Sequence, residues 1–473
     1  MQATVWHRHL FRSIVALIMT GGAAVHAQTA APLTIQAAVE AAREEHPGAA
    51  EAAARALVSS AEADEARAAY LPRVDGLWQM NRASRNNVFG LLLPQNIIPS
   101  ISGPVLGTDS FESAWGSAAG LLFSLEAFDF GRRAATLRAA HSQAEAGSAL
   151  VEAARLEAGA AAADAFLSAL GAEQAVVAAR ANVERLEVLH RTISAQVQAE
   201  LKPGADQSRL EAELAAARNH LISAEQTRSL ARLRLAAAIG RPDAPVALDP
   251  GRMLDQQPAA AGEPGAQTAE HPLVRAARAS ATAAEARTEG IMRQYRPRIF
   301  FNAAMAVRAS GANIDGTLDN GHGLWPNVPN WAAGLTVSFP FLDQPANRAR
   351  AQAAAALGAA DRARLASATQ HATEASVQAS IMADAARKMA ANIPIQLRAA
   401  QQADVQARAR YDAGLTGITE VAEAQRLLAG AETEAALASL AIWRARLAGA
   451  VAAGDLGPFL SEASQPSGPR TKP

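Results

Sequence analysis

Two segments of this chain resemble each other at a separation of 225 residues, and this internal repeat restricts the possible fold more than any single motif. Glu45-His46-Pro47 returns as Glu270-His271-Pro272. At the same separation, Tyr70-Leu71-Pro72-Arg73-Val74 returns as Tyr295-Arg296-Pro297-Arg298-Ile299. A fixed separation between two pairs of motifs is the sequence signature of a duplicated unit. We therefore predict that the chain contains two copies of one structural unit.

Further along, the separation between matching residues shortens. Gly120, Ser124 and Asp129 return as Gly334, Ser338 and Asp343, now 214 residues apart. The second copy has therefore lost residues between the two sets of motifs, and deletions are tolerated mainly in surface loops. We predict loops at 82–113 and 309–329. The first of these loops is unusually apolar.

The composition favours helices over a large globular core. Of the 473 residues, 50% are hydrophobic but only 4% are aromatic, and alanine supplies much of the apolar content. Alanine is the best helix former and has little side-chain bulk, which suits helices packed closely side by side. The formal net charge of −1 provides no basic surface for nucleic acid.

The first 27 residues have the pattern of a signal peptide. Basic residues up to Arg12 precede the apolar run 14–19, and Val25-His26-Ala27 has the small-x-small pattern of a cleavage site. A membrane anchor is the alternative, but the run is too short to span a bilayer. The chain has no cysteine, so we expect no disulfide and no lipid anchor on a cysteine.

Two long stretches without turn residues predict long helical hairpins. A helix is predicted from Gly131 to Glu200, with a returning helix from Asp206 to Ile239. The second copy repeats this plan, from Pro345 to Tyr411, with a kink or join at Pro394, and from Ile418 to Ala452. Each long helix would span roughly 105 Å, far more than a globular domain. The spacing of Val183, Leu186, Ile193 and Val197 is that of a coiled-coil seam, with His190 as an edge residue.

Four short segments alternate between apolar and small or polar residues, which predicts β-strands. They cover 73–80, 115–125, 298–308 and 331–341. About ten alternating residues is the length of a strand that crosses a membrane in a barrel. Four strands cannot close a barrel, and open edges in lipid are costly, so several chains would have to close it together. The alternative is a soluble sheet with one buried face.

These features together resemble the TolC family of outer-membrane efflux proteins. The resemblance rests on the double repeat, the His-Pro and Tyr-x-Pro-Arg motifs, Phe128-Asp129-Phe130-Gly131-Arg132-Arg133 and Tyr411-Asp412-Ala413-Gly414-Leu415-Thr416. It implies a mainly α fold with membrane β: a homotrimer with a 12-stranded β-barrel in the outer membrane and a 12-helix α-barrel in the periplasm. It also implies an exit duct of a tripartite efflux pump or type I secretion system, joined by a periplasmic adaptor to an inner-membrane transporter.

The predicted divisions of the chain follow from the repeat. After the signal peptide, the first repeat covers 28–240 and the second covers 269–453. Residues 241–268, rich in Pro, Gly and Gln, are predicted to be a linker that lies against the helical barrel, and 454–473 a flexible tail.

The resemblance also implies a gate at the periplasmic entrance. Tyr411 matches the gate tyrosine of the family, whereas Thr416 stands where its best-known member has an arginine. Glu420 and Glu423 match carboxylates at the constriction, and residues three apart share one helix face. The hypothesis is a cation-selective ring; the alternative is a pair of solvated surface glutamates. The tips at Lys202-Pro203-Gly204 and Gly414-Leu415-Thr416 are predicted adaptor contacts, although glycine turns also serve plain chain reversal.

An enzyme is not expected. The ten histidines are scattered, and His46 and His271 precede prolines at predicted helix starts, where capping is the simpler role. No HExxH, GxSxG or phosphate-binding glycine loop occurs, and no cofactor or metal is predicted. A periplasmic coiled-coil adaptor or scaffold is the alternative function, but it would lack the alternating strands.

Overall fold

The computed structural model describes residues 32–84, 111–242, 246–254, 256, 258, 268–313, 317–319, 321–340 and 343–465. The predicted signal peptide, most of the apolar loop 82–113, part of the linker and the last residues of the tail lie outside the described residues.

Both halves of the chain contain a short helix, a pair of strands and a helical hairpin in that order. The first half has one further helix before this series, and the second half has one after it. The first half contains α1 (Ile35–Glu45), α2 (Pro47–Ala68), β1 (Arg73–Ser84), β2 (Ser113–Phe128), α3 (Arg132–Gln198) and α4 (Gly204–Ala238). The second half contains α5 (Pro272–Met292), β3 (Arg298–Ser310), β4 (Val328–Ser338), α6 (Gln344–Asp412), α7 (Ile418–Ala453) and α8 (Gly457–Ala463). The order short helix, strand pair, helical hairpin therefore occurs twice.

The helix before each pair of strands, α2 and α5, is capped by a histidine, as predicted. The Nδ1 atom of His46 accepts a hydrogen bond from the backbone N–H of Gly48 at 3.1 Å, and Nδ1 of His271 accepts one from Leu273 at 3.3 Å. The prolines that follow occupy the first helical position, where no backbone N–H is needed. Burial lowers the pKa of His271, which favours the neutral imidazole that can accept this bond.

The four strands form one antiparallel sheet in the order β1-β2-β3-β4. The register places the apolar residues of all four strands on one face, where Gly76, Leu121, Met305 and Trp331 form a row across the sheet. This face is exposed: Met305 and Trp331 are 68% and 81% accessible. β4 ends at Ser338, three residues earlier than the predicted 341; Pro340 follows and has no N–H to continue a ladder.

The opposite face of the sheet has mainly small and polar residues, with Leu77 and Leu122 packed against Ala118 and Ala306. Ser124 donates to Asn302 Oδ1 at 3.0 Å, and Asn302 Nδ2 donates to Thr336 at 3.4 Å, so one chain of hydrogen bonds crosses three strands. The two faces are thus chemically distinct, which is the pattern of a strand wall between lipid and water.

Gly120 and Gly334 occupy matching positions of the two halves but differ in space. A Cβ atom on Gly120 would lie 2.7 Å from Ala306 Cβ and 2.7 Å from Met305 O, whereas one on Gly334 would meet nothing within 4 Å. We expect Gly120→Ala to lower the free energy of unfolding by about 1–3 kcal/mol through overpacking. Urea titration in detergent, followed by circular dichroism, measures this. Gly334→Ala is the matched control, and equal effects of the two substitutions would contradict the prediction.

The two predicted hairpins are present with nearly the predicted bounds. α3 has 67 residues and α6 has 69, which at 1.5 Å per residue gives helices of about 100 Å. α4 packs along α3, and α7 along α6. Pro394 lies inside α6 without ending it. Among the described helices, α7 alone is long and apolar enough to cross a membrane, but it packs along α6 and α3.

The main apolar core joins both halves, and it corrects the prediction of a flexible tail at 454–473. α8 forms within this segment, and Phe459 is fully buried against Trp443, with ring centroids 6.2 Å apart. The core also contains Ile35, Phe166 and Leu235. The tail is ordered over α8 because the free energy gained by burying Phe459 exceeds the conformational entropy cost of ordering this short segment.

The described part of the predicted linker lies against this core. Leu33 N donates to Ala247 O at 2.7 Å and Asp249 N donates to Leu33 O at 2.9 Å. Met253 is buried, and the indole N–H of Trp443 donates to Gln256 O at 3.2 Å. These contacts place the linker on the helices, away from the hairpin tips.

Candidate gate at the hairpin tips

Both hairpins reverse direction through the same backbone motif. In the second tip, Gly414 has φ +71, its N–H bonds to Tyr411 O, and the N–H of Leu415 bonds to Arg410 O. These are the two bonds of a Schellman motif, which uses a left-handed residue after the helix. In the first tip Glu200 holds the left-handed position, with φ +59. Gly204 is instead the first residue of α4, so the first turn does not depend on the glycine of Lys202-Pro203-Gly204.

Tyr411 connects the two tips. Its side chain is 3% accessible, and its hydroxyl donates to the Asp206 carboxylate at 2.9 Å. Tyr411 lies in the last turn of α6 in the second hairpin, and Asp206 lies in the first turn of α4 in the first hairpin. The N-terminus of a helix favours a negative charge, so this first turn is a suitable place for the carboxylate that accepts the bond from the tyrosine.

Lys202 contacts the same tyrosine from the first tip. Its ammonium nitrogen lies 4.2 Å from the centroid of the Tyr411 ring and donates to Tyr411 O at 3.4 Å. A cation over an aromatic ring is worth about 0.5–2 kcal/mol, depending on desolvation. Lys202 was predicted as an adaptor contact, but within this chain it holds the tyrosine.

The hydroxyl of Tyr411 is a stable donor. Burial and the nearby carboxylates of Asp206 and Asp412 raise the pKa of Tyr411 above its ordinary value. Both effects disfavour the phenolate. The tyrosine therefore keeps its proton, and the hydrogen bond to Asp206, throughout the physiological pH range.

Glu420 and Glu423 lie together at a second feature of the tip, a cavity of about 660 Å³ that also includes Arg410 and Thr416. Glu420 is paired: Arg410 Nη1 lies 3.3 Å from its carboxylate, and the Thr416 hydroxyl donates to it. Glu423 is exposed, with no ion pair among the described residues. The two carboxylates thus share one helix face, as predicted, but they differ in charge compensation.

An apolar cluster holds this polar arrangement in place. It includes Ile193 and Leu210 of the first hairpin with Ile418 and Val421 of the second. Val183 and Leu186 of the predicted seam belong to it, and Val197 packs against it. His190 lies at its edge, 3.5 Å from Glu211, as expected of an edge residue. The tips are therefore joined by apolar contacts behind the polar ones.

Other tip residues remain open to solvent. Leu415 is 73% accessible, and a Cβ on Gly204 or Gly414 would meet nothing within 4 Å. Tyr411, Glu420 and Glu423 remain predicted gate residues, and the contacts that Asp206 and Lys202 make with Tyr411 were not predicted from the sequence. The only signal for Asp206 was an acidic residue in the first turn of a predicted helix, which is common. In the described parts of the chain, no cluster of His, Asp or Glu is placed to hold a metal ion.

Comparison with known proteins agrees with the fold. The sequence model described as "Outer membrane efflux protein" matches residues 38–241 and 265–454. Three solved structures illustrate the likeness in fold. The outer-membrane channel OprN has a TM-score of 0.73 and 22% identity, over 89% of both chains. The outer membrane protein VceC from Vibrio cholerae has a TM-score of 0.73 and 18% sequence identity, over 89% of this chain and 96% of its own. The open state of the Neisseria gonorrhoeae MtrE channel has a TM-score of 0.72 and 21% sequence identity, over 89% of both chains.

No curated protein sequence gives a significant match. The alternative of a periplasmic adaptor or scaffold is not supported, because the matching family and the similar structures are those of outer membrane channels.

Proposed function

This chain belongs to the outer membrane efflux protein family, and from that premise we propose that three copies form the exit duct of a tripartite efflux pump or a type I secretion system. The chain is an outer membrane channel protein with a periplasmic extension. In the proposal, substrate passes through the duct without reaction. Three internally duplicated chains would contribute twelve strands to a β-barrel and twelve helices to an α-barrel.

The exposed apolar face of the sheet carries this proposal. Its residues include Trp78, Leu121, Met305, Trp331 and Leu335, all more than half accessible. β1 and β4 are the two edges of the sheet, and an unpaired edge in lipid costs several kcal/mol for each backbone group. Pairing β4 of one copy with β1 of the next removes both edges, and twelve strands are enough to surround a channel.

Reconstitution of the purified mature protein tests the duct. We expect it to require detergent for extraction from outer membranes and to conduct ions in planar lipid bilayers. Size measurement by multi-angle light scattering should give three chains per particle. A water-soluble monomer that conducts no current would contradict the proposal.

Glu420 and Glu423 are proposed to line the periplasmic entrance and to make it cation-selective. Carboxylates crowded at a narrow mouth concentrate negative potential. Because Arg410 already compensates Glu420, we expect Glu423→Gln to reduce the cation-to-anion permeability ratio more than Glu420→Gln. The double variant Glu420→Ala/Glu423→Ala should have the largest effect, measured as the reversal potential in a salt gradient.

A matched control for this prediction is Glu374→Gln. Glu374 lies on α6, well away from the tip in sequence, and has a 71% accessible side chain. It should leave the reversal potential unchanged. If the double variant also leaves ion selectivity unchanged, the two carboxylates do not line the entrance.

The tips are proposed to contact a periplasmic adaptor, which would couple the duct to an inner-membrane transporter. Leu415 is exposed at the second tip, while Lys202 is already engaged by Tyr411. A photo-crosslinking residue at position 415 is therefore expected to capture a co-expressed adaptor, and the same residue at the exposed Ile222 on the side of α4 should not. Capture only from position 222 would contradict docking at the tip.

A further inference from the structure

The two hairpins are separated by a cavity above the tips. The cavity has a volume of about 500 Å³ and lies between α3, α4 and α7. Its apolar lining consists largely of small residues, among them Ala178, Ala216, Ala429 and Gly430. Small side chains bury little area and leave few dispersion contacts across such a gap. The hairpins are thus weakly joined by apolar contacts at this level.

Apolar clusters confirm that this level differs from the regions above and below it. The main core above it joins Leu170 of the first hairpin to Leu440 of the second, and the tip cluster below joins Leu210 to Val421. Between these two, a cluster around Val176 contains residues of α3 and α4 only. A matching cluster around Leu428, Ala400 and Ala431 contains residues of α6 and α7 only. Each of these clusters stabilises one hairpin but not the contact between them.

An ion pair bridges the hairpins at the same level. Arg185 of α3 donates two hydrogen bonds to Glu432 of α7, at 3.2 and 2.8 Å. The side chains are only 24% and 25% accessible. Arg185 lies within the stretch of α3 that borders the cavity, and Glu432 within that of α7. A bidentate, partly buried arginine–carboxylate pair is both stronger and more directional than an exposed pair.

Among the described residues, few other polar contacts link the two hairpins around the cavity. Gln425 Oε1, Asn182 Oδ1 and Arg185 Nε are buried and have no hydrogen-bond partner among the described residues. The amide nitrogen of Gln425 donates to Asp404 within the second hairpin. The remaining contact between the hairpins here, Arg426 with Glu213 at 3.4 Å, involves an arginine that is 65% accessible. The Arg185–Glu432 pair is therefore the strongest polar link across the cavity.

We propose that Arg185 and Glu432 are positioning residues that hold the two hairpins in register above the tip, and so set how readily the entrance opens. This rests on the proposed duct function, in which the tips separate. The pair acts at a different height and through different groups from Tyr411, Asp206 and Lys202. The contacts of Tyr411 at the tip and the Arg185–Glu432 pair beside the cavity would then both have to break before the second hairpin moves.

Single-channel recording with four variants tests this proposal. We expect Glu432→Gln and Arg185→Gln each to raise the open probability about two- to thirtyfold, the range for replacing a residue that couples two arrangements of a structure. The charge-reversed double variant Arg185→Glu/Glu432→Arg should return open probability towards the wild-type value, because it restores the pair. Glu225→Gln is the control, since Glu225 pairs with Arg180 within the first hairpin, where both are more exposed.

The outcomes separate this inference from the duct function. If the wild-type protein conducts and Tyr411→Phe raises open probability, but Glu432→Gln behaves like Glu225→Gln, the positioning role is wrong and the duct stands. A lowered melting temperature without a change in open probability would show a purely structural pair and would also overturn the proposal. If the wild-type protein conducts no ions, the duct function itself fails.

Discussion

Replacing Tyr411 by phenylalanine should raise the open probability of the duct about tenfold or more. The change removes only the hydroxyl that donates to Asp206 at 2.9 Å, and a hydrogen bond to a charged group contributes about 1.5–3 kcal/mol. In the closed state the substitution would leave the Asp206 carboxylate without this partner. In an open state the carboxylate already bonds to water, so the substitution would change nothing there. Single-channel recording in planar bilayers measures the effect.

Tyr295→Phe is the matched control for this prediction. The chain has three tyrosines, and the hydroxyl of Tyr295 also donates a hydrogen bond, to Gln344 O at 2.8 Å, beside the sheet rather than at the tips. Tyr295→Phe therefore removes a similar bond without touching the gate, and should leave open probability unchanged. Equal effects of the two substitutions would show that Tyr411 acts only on general stability.

The raised pKa of Tyr411 sets the direction of its pH dependence. A group whose pKa is higher in the folded state adds stability that is fully present below its unfolded pKa and is lost as pH rises through the folded pKa. Since the ordinary tyrosine value is about 10, the Tyr411–Asp206 bond should persist at neutral and mildly alkaline pH. We therefore expect open probability to lack a tyrosine-dependent change between about pH 6 and 9.

The second large effect is expected at the C-terminal helix. Phe459→Ala should lower the free energy of unfolding by about 3–5 kcal/mol, because it empties a fully buried aromatic site against Trp443. Denaturant titration followed by tryptophan fluorescence and circular dichroism measures this loss. Phe111→Ala is the control, since Phe111 is 99% accessible and should change stability by less than about 0.5 kcal/mol. A loss equal to that of the control would mean that α8 does not contribute to the core.

Much of the fold was predictable because its signals are local. The abundance of alanine indicated α3 and α6, helped in α3 by the absence of proline, and alternation indicated the four strands to within about four residues at each end. The register of the sheet could not be predicted from the sequence. It places the apolar residues of all four strands on one face. Alternation defines two faces for each strand but not how neighbouring strands align.

The contacts at the gate were predictable only in part. The motif around Tyr411 pointed to a gate, but its partners Asp206 and Lys202 lie more than 200 residues away in the chain. Nothing in the local pattern of an acidic first turn or a lysine in a loop distinguishes them from solvated residues. The same holds for Phe459, whose short helix has no amphipathic period long enough to recognise, so that its burial depends wholly on the surface offered by α7 and α1.

The shared core of α1, α3, α7 and α8 also constrains the order in which the molecule can be completed. Ile35 and Phe459, near opposite ends of the polypeptide, belong to one cluster, and contacts between such distant residues form slowly because a very long loop must close first. Each hairpin has mainly local contacts and can therefore fold early. The part of the core that α8 completes forms only after the last residues are synthesised, so a prematurely terminated chain would lack the contact of Phe459 with Trp443.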